Sequence, residues 1–539
     1  MAHFPPEIFN EIFSVATPDT VRTCRLLNRH LSQLATSHAF RHVRIEAAGE
    51  VSKFVNISQA PHLRCHTREL SISTLVGPPF EYHVNNTCKF PLDFFLALPN
   101  LRLFSGLTRL HLGFNEYCGN NEARTFLDVE ENNDFRYYVL WTVFACLTGE
   151  WTAESSSDLY EDLDFNIYEE DNHEESEDDE GSEGMVSPET LLERLTLEAV
   201  DARTDVITLE ALAIQNLAGY DDTRLTSSDL FRKVLSTITD LKLHVVFEKE
   251  DECPEDEIYL PERFAFMESL HKTWLAPKVA QNLRVLSLFC DDYWGWTPKM
   301  DFREINPGIG PHSGFPNLEV LALGNYIFSH DWQIDWIPSL GRQNRYGGLR
   351  ELYLDDCPIL YYFHLYTDLD KSTGYPVTKS FLGSHNEPLG TQLKQESHLR
   401  WDHILSSWKK NMNALKVFRS GSGDWQSHNS DLIGSAYEQL GLGWTDRHDN
   451  RFNRANFITY DCPPPRDREE ISDFRRWFRG VGIGSDETTP PLQYIEFHHG
   501  TGPSPWLGGT DAEHGFFEHP HESDLQALEH LLKTIKSHT

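Results

Sequence analysis

Positive charge is what this chain has least of. Its 539 residues carry 47 Lys and Arg against 83 Asp and Glu, a formal charge of -36, and an imbalance of that size repels nucleic acid and anionic membranes as partners. No apolar run approaches the roughly 20 residues that span a bilayer, and the opening residues lack the basic and apolar regions of a secretory signal. The expected location is therefore cytoplasmic and/or nuclear. Cysteine occurs at nine scattered positions (Cys24, Cys65, Cys88, Cys118, Cys146, Cys253, Cys290, Cys357 and Cys462) with no Cys-x-x-Cys pair. An odd, unclustered set suits a reducing compartment and small core residues, and it argues against a disulfide framework.

Catalytic signatures are missing too. There is no Gly-x-x-x-x-Gly-Lys-Ser/Thr loop, no Gly-x-Ser-x-Gly elbow and no His-Glu-x-x-His pair. His498, His499, His514, His519, His521 and Glu522 gather near the C-terminus, but their spacing matches no zinc motif and reads as an exposed His-rich loop. No catalytic residue, cofactor-binding residue or metal site is expected, and the chain reads as a non-enzyme.

Acidic residues, by contrast, are abundant and locally concentrated. No Lys or Arg occurs from Tyr137 through Glu193, and the run from Tyr168 to Glu183 is almost wholly acidic or polar. Such a segment repels itself and has little apolar area to bury, so residues 152–188 are expected to form a disordered insertion. A second reading makes it an acidic decoy or tail for a basic partner. The remainder, 39% hydrophobic and 12% aromatic, is rich enough in apolar groups for a large core.

The first 45 residues carry the most specific pattern. In Phe4-Pro5-Pro6-Glu7-Ile8-Phe9-Asn10-Glu11-Ile12-Phe13, the apolar side chains Ile8, Phe9, Ile12 and Phe13 span an arc of about 140° on a helix, with Glu7, Asn10, Glu11 and Ser14 opposite. Thr17-Pro18-Asp19 has the order of an N-cap, a first-turn proline and a dipole-compatible acid, predicting a second helix along which Cys24, Leu27, Leu31 and Leu34 share a face of about 80°. So short a segment has too little interior for all these groups, and a partner is expected to cover some of them. The alternative is an amphipathic hairpin packed on its own domain.

These residues resemble an F-box, the helical module that docks a substrate receptor onto the Skp adaptor of a cullin-RING ubiquitin ligase. The chain departs from the usual pattern in opening Phe4-Pro5 instead of Leu-Pro, and in having Leu27-Asn28 and Leu31 where Val-Cys and an aromatic residue are common. Only Asn28 replaces an apolar group by a polar one. The resemblance implies that Phe4, Pro5, Ile8, Ile12, Phe13, Leu26, Leu27 and Leu31 contact a Skp-family adaptor and, through it, a cullin.

Beyond residue 45 the chain returns repeatedly to Leu-x-x-Leu-x-Leu, whose alternate side chains line one face of a short strand. Leu107-Leu110-Leu112 with Asn115 and Leu349-Leu352-Leu354 with Cys357 are the fullest copies. Leu192-Leu195-Leu197, Ile238-Leu241-Leu243, Leu283-Leu286-Leu288, Leu318-Leu321-Leu323 and Leu492-Ile495-Phe497 are shorter, and Leu70-Ile72 and Leu415-Phe418 are partial. Parallel neighbours need crossovers, and helices are expected over Phe135–Phe144, His403–Trp408 and Ile471–Phe478, with a closing one at Asp524–Lys536. The pattern resembles the divergent fungal F-box proteins with leucine-rich repeats. The fold class implied is α/β: a short N-terminal helical F-box over 1–45, then an irregular leucine-rich-repeat-like solenoid of parallel strands and crossover helices with long loops over 46–539.

Trp294, Trp296, Trp332, Trp336 and Trp506 fall on predicted loops and are candidate anchors for a protein substrate, although loop tryptophans of a solenoid also pack down as satellite cores. The function implied is a substrate-recognition adaptor of a Skp-cullin-F-box ubiquitin ligase. The rival is a leucine-rich-repeat scaffold or inhibitor acting outside a cullin ligase.

Overall fold

The computed structural model describes residues 5–16, 18–47, 49–74, 89–115, 118–119, 131–168, 185–198, 205–247, 261–306, 314–355, 357–365, 368–377, 393–421, 492, 494–498 and 522–537. The protein is α/β with mostly parallel strands, and the chain divides into two compact units. Met1–Ala123, Leu127–Gln215 and Asp222–Ile238 make the first, and the second comprises Arg124–Phe126, Asn216–Asp221 and Thr239–Thr539.

Three helices open the first unit: α1 (Pro6–Val15), α2 (Pro18–Leu27) and α3 (Arg29–Ala39). After them come β1 (His42–Glu46), α4 (Val51–Gln59), α5 (Pro61–Arg64), β2 (Glu69–Ser73), β3 (Lys89–Pro91), α6 (Leu92–Ala97), β4 (Arg109–Gly113), β5 (Cys118–Gly119) and β6 (Glu131–Asn132). The unit continues with α7 (Asn133–Thr148), α8 (Ala153–Glu161), β7 (Asn166–Tyr168), α9 (Pro188–Glu198), β8 (Ala211–Ala218), α10 (Thr223–Thr226) and α11 (Asp229–Leu235). Its sheet is parallel in the order β1-β2-β4-β8, and the register aligns Val43, Leu70, Leu110 and Leu212 in one row and Ile45, Ile72, Leu112 and Ile214 in the next. All eight are buried, so the rows form a continuous apolar stripe, the arrangement that alternation along each strand produces.

Helix α7 is held at both ends: Asn132 accepts from the Phe135 N–H at 2.8 Å, and Gly149 closes it at φ 74°. At the carboxyl ends of β2 and β4 a buried carboxylate ties sheet to helix. Glu131 pairs with Arg136 at 3.3 Å, accepts from the Thr74 hydroxyl, and accepts from the Asn115 N–H at 2.9 Å, while Arg136 donates to the Asn115 carbonyl. Burial pushes the Glu131 carboxyl above the usual range, and the charge of Arg136 opposes that shift.

The second unit contains β9 (Asp240–Val246), α12 (Pro261–Ser269), α13 (Pro277–Asn282), β10 (Val285–Trp294), β11 (Val320–Tyr326), α14 (Trp332–Ser339), β12 (Glu351–Asp355), β13 (Ile359–Leu365), β14 (Leu393–Glu396), α15 (Trp401–Asn411), β15 (Val417–Gly421), β16 (Tyr494–His498) and α16 (Glu522–Ser537). Its main sheet runs β9-β10-β11-β12-β15, again parallel, with Leu241, Leu286, Leu321, Leu352 and Phe418 in register and buried. A separate buried cluster joins Phe289, Ala322 and Tyr353, where the Phe289 ring lies so close over Gly324 that a Cβ there would sit 1.8 Å from it. Helix α16 packs along α15, burying Ala527, Leu531 and Ile535 while Leu525 stays exposed.

Four sequence expectations are corrected. Leu192, Leu195 and Leu197 lie on helix α9, not on a strand. Pro188 starts it, Glu189 sits in its first turn, and Leu191 and Leu195 are buried at a spacing of one turn while Leu197 is exposed. The strand of this stretch is β8, which follows a copy of the motif that the sequence reading passed over, Leu209-x-x-Leu212-x-Ile214, all three buried. Leu492-Ile495-Phe497 leads into β16, which pairs with β13 in a three-stranded sheet outside the main ladder. The range 152–188 is not wholly a disordered insertion: Thr152 and Ser155 form a capping box for α8, β7 pairs with β3, and Tyr160, Phe165 and Ile167 are buried. The helix expected to run unbroken from Pro18 through Leu34 is two helices, since Asn28 ends α2 and caps α3 by accepting from the Leu31 N–H at 2.9 Å.

Cys118, Cys146, Cys290 and Cys357 are buried thiols and Cys65 is exposed; burial pushes the Cys146 thiol up to about 12. Among the described residues no helix is long and apolar enough to cross a membrane. The helix expected at Ile471–Phe478, the strongly acidic stretch from 169 to 184, Phe4, Thr17 and Trp506 lie outside the described residues.

Candidate docking surface

The three N-terminal helices build a small core of their own. Phe13, Val21 and Ala35 are buried together, with Phe9, Cys24, Leu31 and Leu34 partly buried against them. Phe9 lies edge-on to His30 at 6.2 Å and Phe13 is tilted against His38 at 5.8 Å, so the aromatic positions of α1 face α3. Polar contacts fix the hairpin: His38 Nε2 meets Asn10 Oδ1 at 3.3 Å, and Arg25 donates to the Thr36 hydroxyl at 3.2 Å with its guanidinium 4.4 Å from the Phe40 ring centre. Burial, and secondarily the nearby Arg41, hold the His38 ring below its usual value, so near neutral pH it remains uncharged against Phe13.

The stripe read from the sequence is therefore split. Phe9 and Phe13 turn inward, while Ile8 and Ile12, one turn apart, stay 44% and 47% exposed. Leu26 and Leu27, the last residues of α2, are 86% and 64% exposed. The break at Asn28 also separates Leu27 from Leu31, which an unbroken helix would have placed one turn apart on one face. Four of the ten large apolar side chains exposed among the described residues thus fall within the first 27 positions, a concentration that scattered surface leucines do not show.

Of the predicted docking residues, Pro5, Ile8, Ile12, Leu26 and Leu27 lie on the surface, Leu31 is half-buried, and Phe13 is a core residue unavailable for contact. The predicted substrate anchors do not form a surface. Trp294 is fully buried at the end of β10 and donates from Nε1 to the Gly324 carbonyl at 2.7 Å. Trp296 packs against Phe363 and Phe497, and Trp336 stacks on Phe302 at 4.3 Å, both buried. Trp332 is half-buried beneath the Arg303 guanidinium at 4.7 Å. These rings fill satellite cores beyond the strand ends, where Pro- and Gly-rich sequence had suggested open loops.

Sequence reading passed over a different group. Leu340-Gly341-Arg342-Gln343-Asn344-Arg345-Tyr346-Gly347-Gly348-Leu349-Arg350 holds three arginines and no carboxylate in a chain dominated by acid, a signal available from charge order alone. Among the described residues no group of His, Cys, Asp and Glu is arranged to hold a metal ion. No model of a known protein family matches the chain, and no curated protein does.

Proposed function

We propose that this protein is a substrate adaptor of a Skp-cullin-F-box ubiquitin ligase, in which the N-terminal helices act as an F-box and the parallel strand-and-helix units act as divergent leucine-rich repeats that hold a protein substrate. The observation that carries the reading is the exposure of Ile8, Ile12, Leu26 and Leu27 on a module whose interior is already filled by Phe13, Val21 and Ala35. Full burial of one such side chain contributes about 1.5–3 kcal/mol, so a few of them suffice to anchor an interface. The Leu-x-x-Leu-x-Leu rows of the parallel strands in each unit support the repeat part of the reading.

The protein does no bond chemistry in this scheme. It raises the local concentration of the substrate beside the ubiquitin-conjugating enzyme, turning a bimolecular encounter into an intramolecular one. The test is co-expression of the full chain with a Skp adaptor and a cullin, followed by affinity capture. Retention of both by the wild type, and loss of both in the Ile8→Asp, Ile12→Asp double variant, is the expected result. Capture of the adaptor without cullin would favour a role outside a ligase, and undiminished capture by the double variant would reject this docking surface.

A further inference from the structure

The loop after α14 and the end of α15 enclose a pocket of about 200 Å³ in the second unit, lined by Arg342, Tyr346, Gly347, Gly348, Asn411 and Asn413 among others. Tyr346 is 37% exposed, with the Arg345 guanidinium 4.6 Å and the Arg350 guanidinium 4.3 Å from its ring centre. Arg342 reaches the Asn411 carbonyl at 3.4 Å, and Lys409 and Lys410 precede that residue on the last turn of α15. Gly347, one of the lining residues, is at φ 74° and has open space where a Cβ would stand.

The charge around this pocket is largely uncompensated. Glu319 is shared between Arg284 at 2.6 Å and Arg345 at 3.8 Å, while Arg342, Arg350, Lys409 and Lys410 form no ion pair among the described residues. The sequence has no Asp or Glu from His403 through Gly423. Lys409 and Lys410 suit the negative end of the α15 dipole, but the loop residue Arg345 and the strand-leading Arg350 have no such reason to be there. On a chain of net charge -36, a cationic rim around an exposed aromatic ring is a local inversion of sign.

We propose that this pocket docks an acidic peptide segment of a protein partner, with carboxylates held by the arginine forks and an apolar neighbour laid on Tyr346. The chemistry fits because guanidinium groups take carboxylates in two parallel hydrogen bonds, and an aromatic ring already flanked by cations is a rigid, preorganised anchor. A nucleic acid would also meet the cations, but its charge continues beyond the pocket over a chain of net charge -36, whereas a short acidic segment confines its carboxylates to the arginines. The proposal is independent of the adaptor reading and stands whether or not the N-terminal helices bind a Skp protein.

The test uses the full chain and a fluorescein-labelled Glu-rich peptide, followed by anisotropy. Binding should weaken by roughly ten-fold or more between about 50 and about 300 mM salt, as expected of exposed charges. Arg342→Glu with Arg345→Glu should weaken it by at least roughly ten-fold, Arg342→Lys with Arg345→Lys should lose less, and Lys53→Glu in the first unit should leave it unchanged. Melting curves check each variant, and Arg342→Gln with Arg345→Gln replaces the reversal should that variant not fold. No binding by the wild type, equal binding by the folded charge-reversed protein, or tighter binding of an oligonucleotide of matched charge would overturn the proposal.

Discussion

The carboxylate of Asp524, near the start of α16, accepts a hydrogen bond from the backbone N–H of Asp402 at 2.9 Å and so caps α15 from a point 122 residues further along the chain. The helix has no side-chain cap of its own at Arg400. The second oxygen of Asp524 accepts from the Tyr494 hydroxyl at 2.9 Å, and that hydroxyl in turn accepts from the Trp401 N–H at 3.0 Å. Two N–H groups at one helix end are thus satisfied by residues of β16 and α16, which gives the closing helix a specific seat beyond its apolar face.

Replacing Asp524 by Ala removes this cap and leaves buried donors unmatched, at a cost of about 1–3 kcal/mol. Asn, which keeps one acceptor oxygen, should recover part of it. Urea unfolding of the two variants together with hydrogen exchange at Trp401 and Asp402 checks the assignment; protection unchanged at those two amides would show that α15 does not depend on α16.

Phe13 and Ile8 lie on one helix and have opposite roles. Phe13→Ala should destabilise the N-terminal module by about 3–5 kcal/mol, since it empties the centre of a three-helix core. Ile8→Asp and Ile12→Asp, on the exposed side, should change stability by no more than about 0.5 kcal/mol. Helix content and melting temperature separate the two classes before any partner is added, and a large stability loss in the isoleucine variants would mean that their side chains are structural.

Much of the fold could be read from periodicity, and the failures have physical causes. The strands at Leu70, Leu110, Leu241, Leu286, Leu321, Leu352 and Phe418 follow from Leu-x-x-Leu-x-Leu because a buried parallel strand needs apolar side chains at alternate positions. The same spacing of three and two is compatible with a helix, and at Leu192–Leu197 the capping chemistry around Pro188 decided between the two. Asn28 looked like a defect in an apolar pattern, although a polar residue between two helices is the expected cap. The tryptophans misled because loop-like sequence gives no information about which chain segments later cover a ring. The exposure of Ile8, Ile12, Leu26 and Leu27 agrees with the surface position the sequence suggested, whereas Phe13 was assigned to the wrong side, since a 140° stripe on one helix can serve an interior and a surface together.

The Glu131–Arg136 pair makes a stability prediction of a different kind. Arg136→Met would leave a buried carboxylate with no cation, costing about 3–5 kcal/mol, whereas Glu131→Gln combined with Arg136→Met should cost much less because no unpaired charge remains. Because burial raises the Glu131 carboxyl above its unfolded value, its contribution is fully present in acid and declines as pH rises through the folded value. Chemical denaturation of the single and double variants at several pH values tests both points, and a double variant as unstable as Arg136→Met would contradict the account.

His330 carries a prediction for the acid limb of the second unit. Its ring is partly buried 4.3 Å from the Tyr375 ring centre, with Nδ1 2.7 Å from the Ser329 hydroxyl. Burial, followed by the charge of Arg303, pushes it down to about 4, with Asp301 opposing the shift. The folded value is below the unfolded one, so the stabilisation is complete above about pH 6.5 and is lost as pH falls towards 4, where the unfolded chain takes up a proton that the folded chain refuses. The shift corresponds to an upper limit of about 3 kcal/mol, reduced by whatever solvent reaches the ring. Urea unfolding followed by tryptophan fluorescence at neutral pH and at about pH 4.5 should show a steeper loss for the wild type than for His330→Gln, which has no proton to gain in this range. Parallel slopes for the two proteins would place the acid sensitivity elsewhere and would require that the imidazole be as easily protonated in the folded unit as in the unfolded chain.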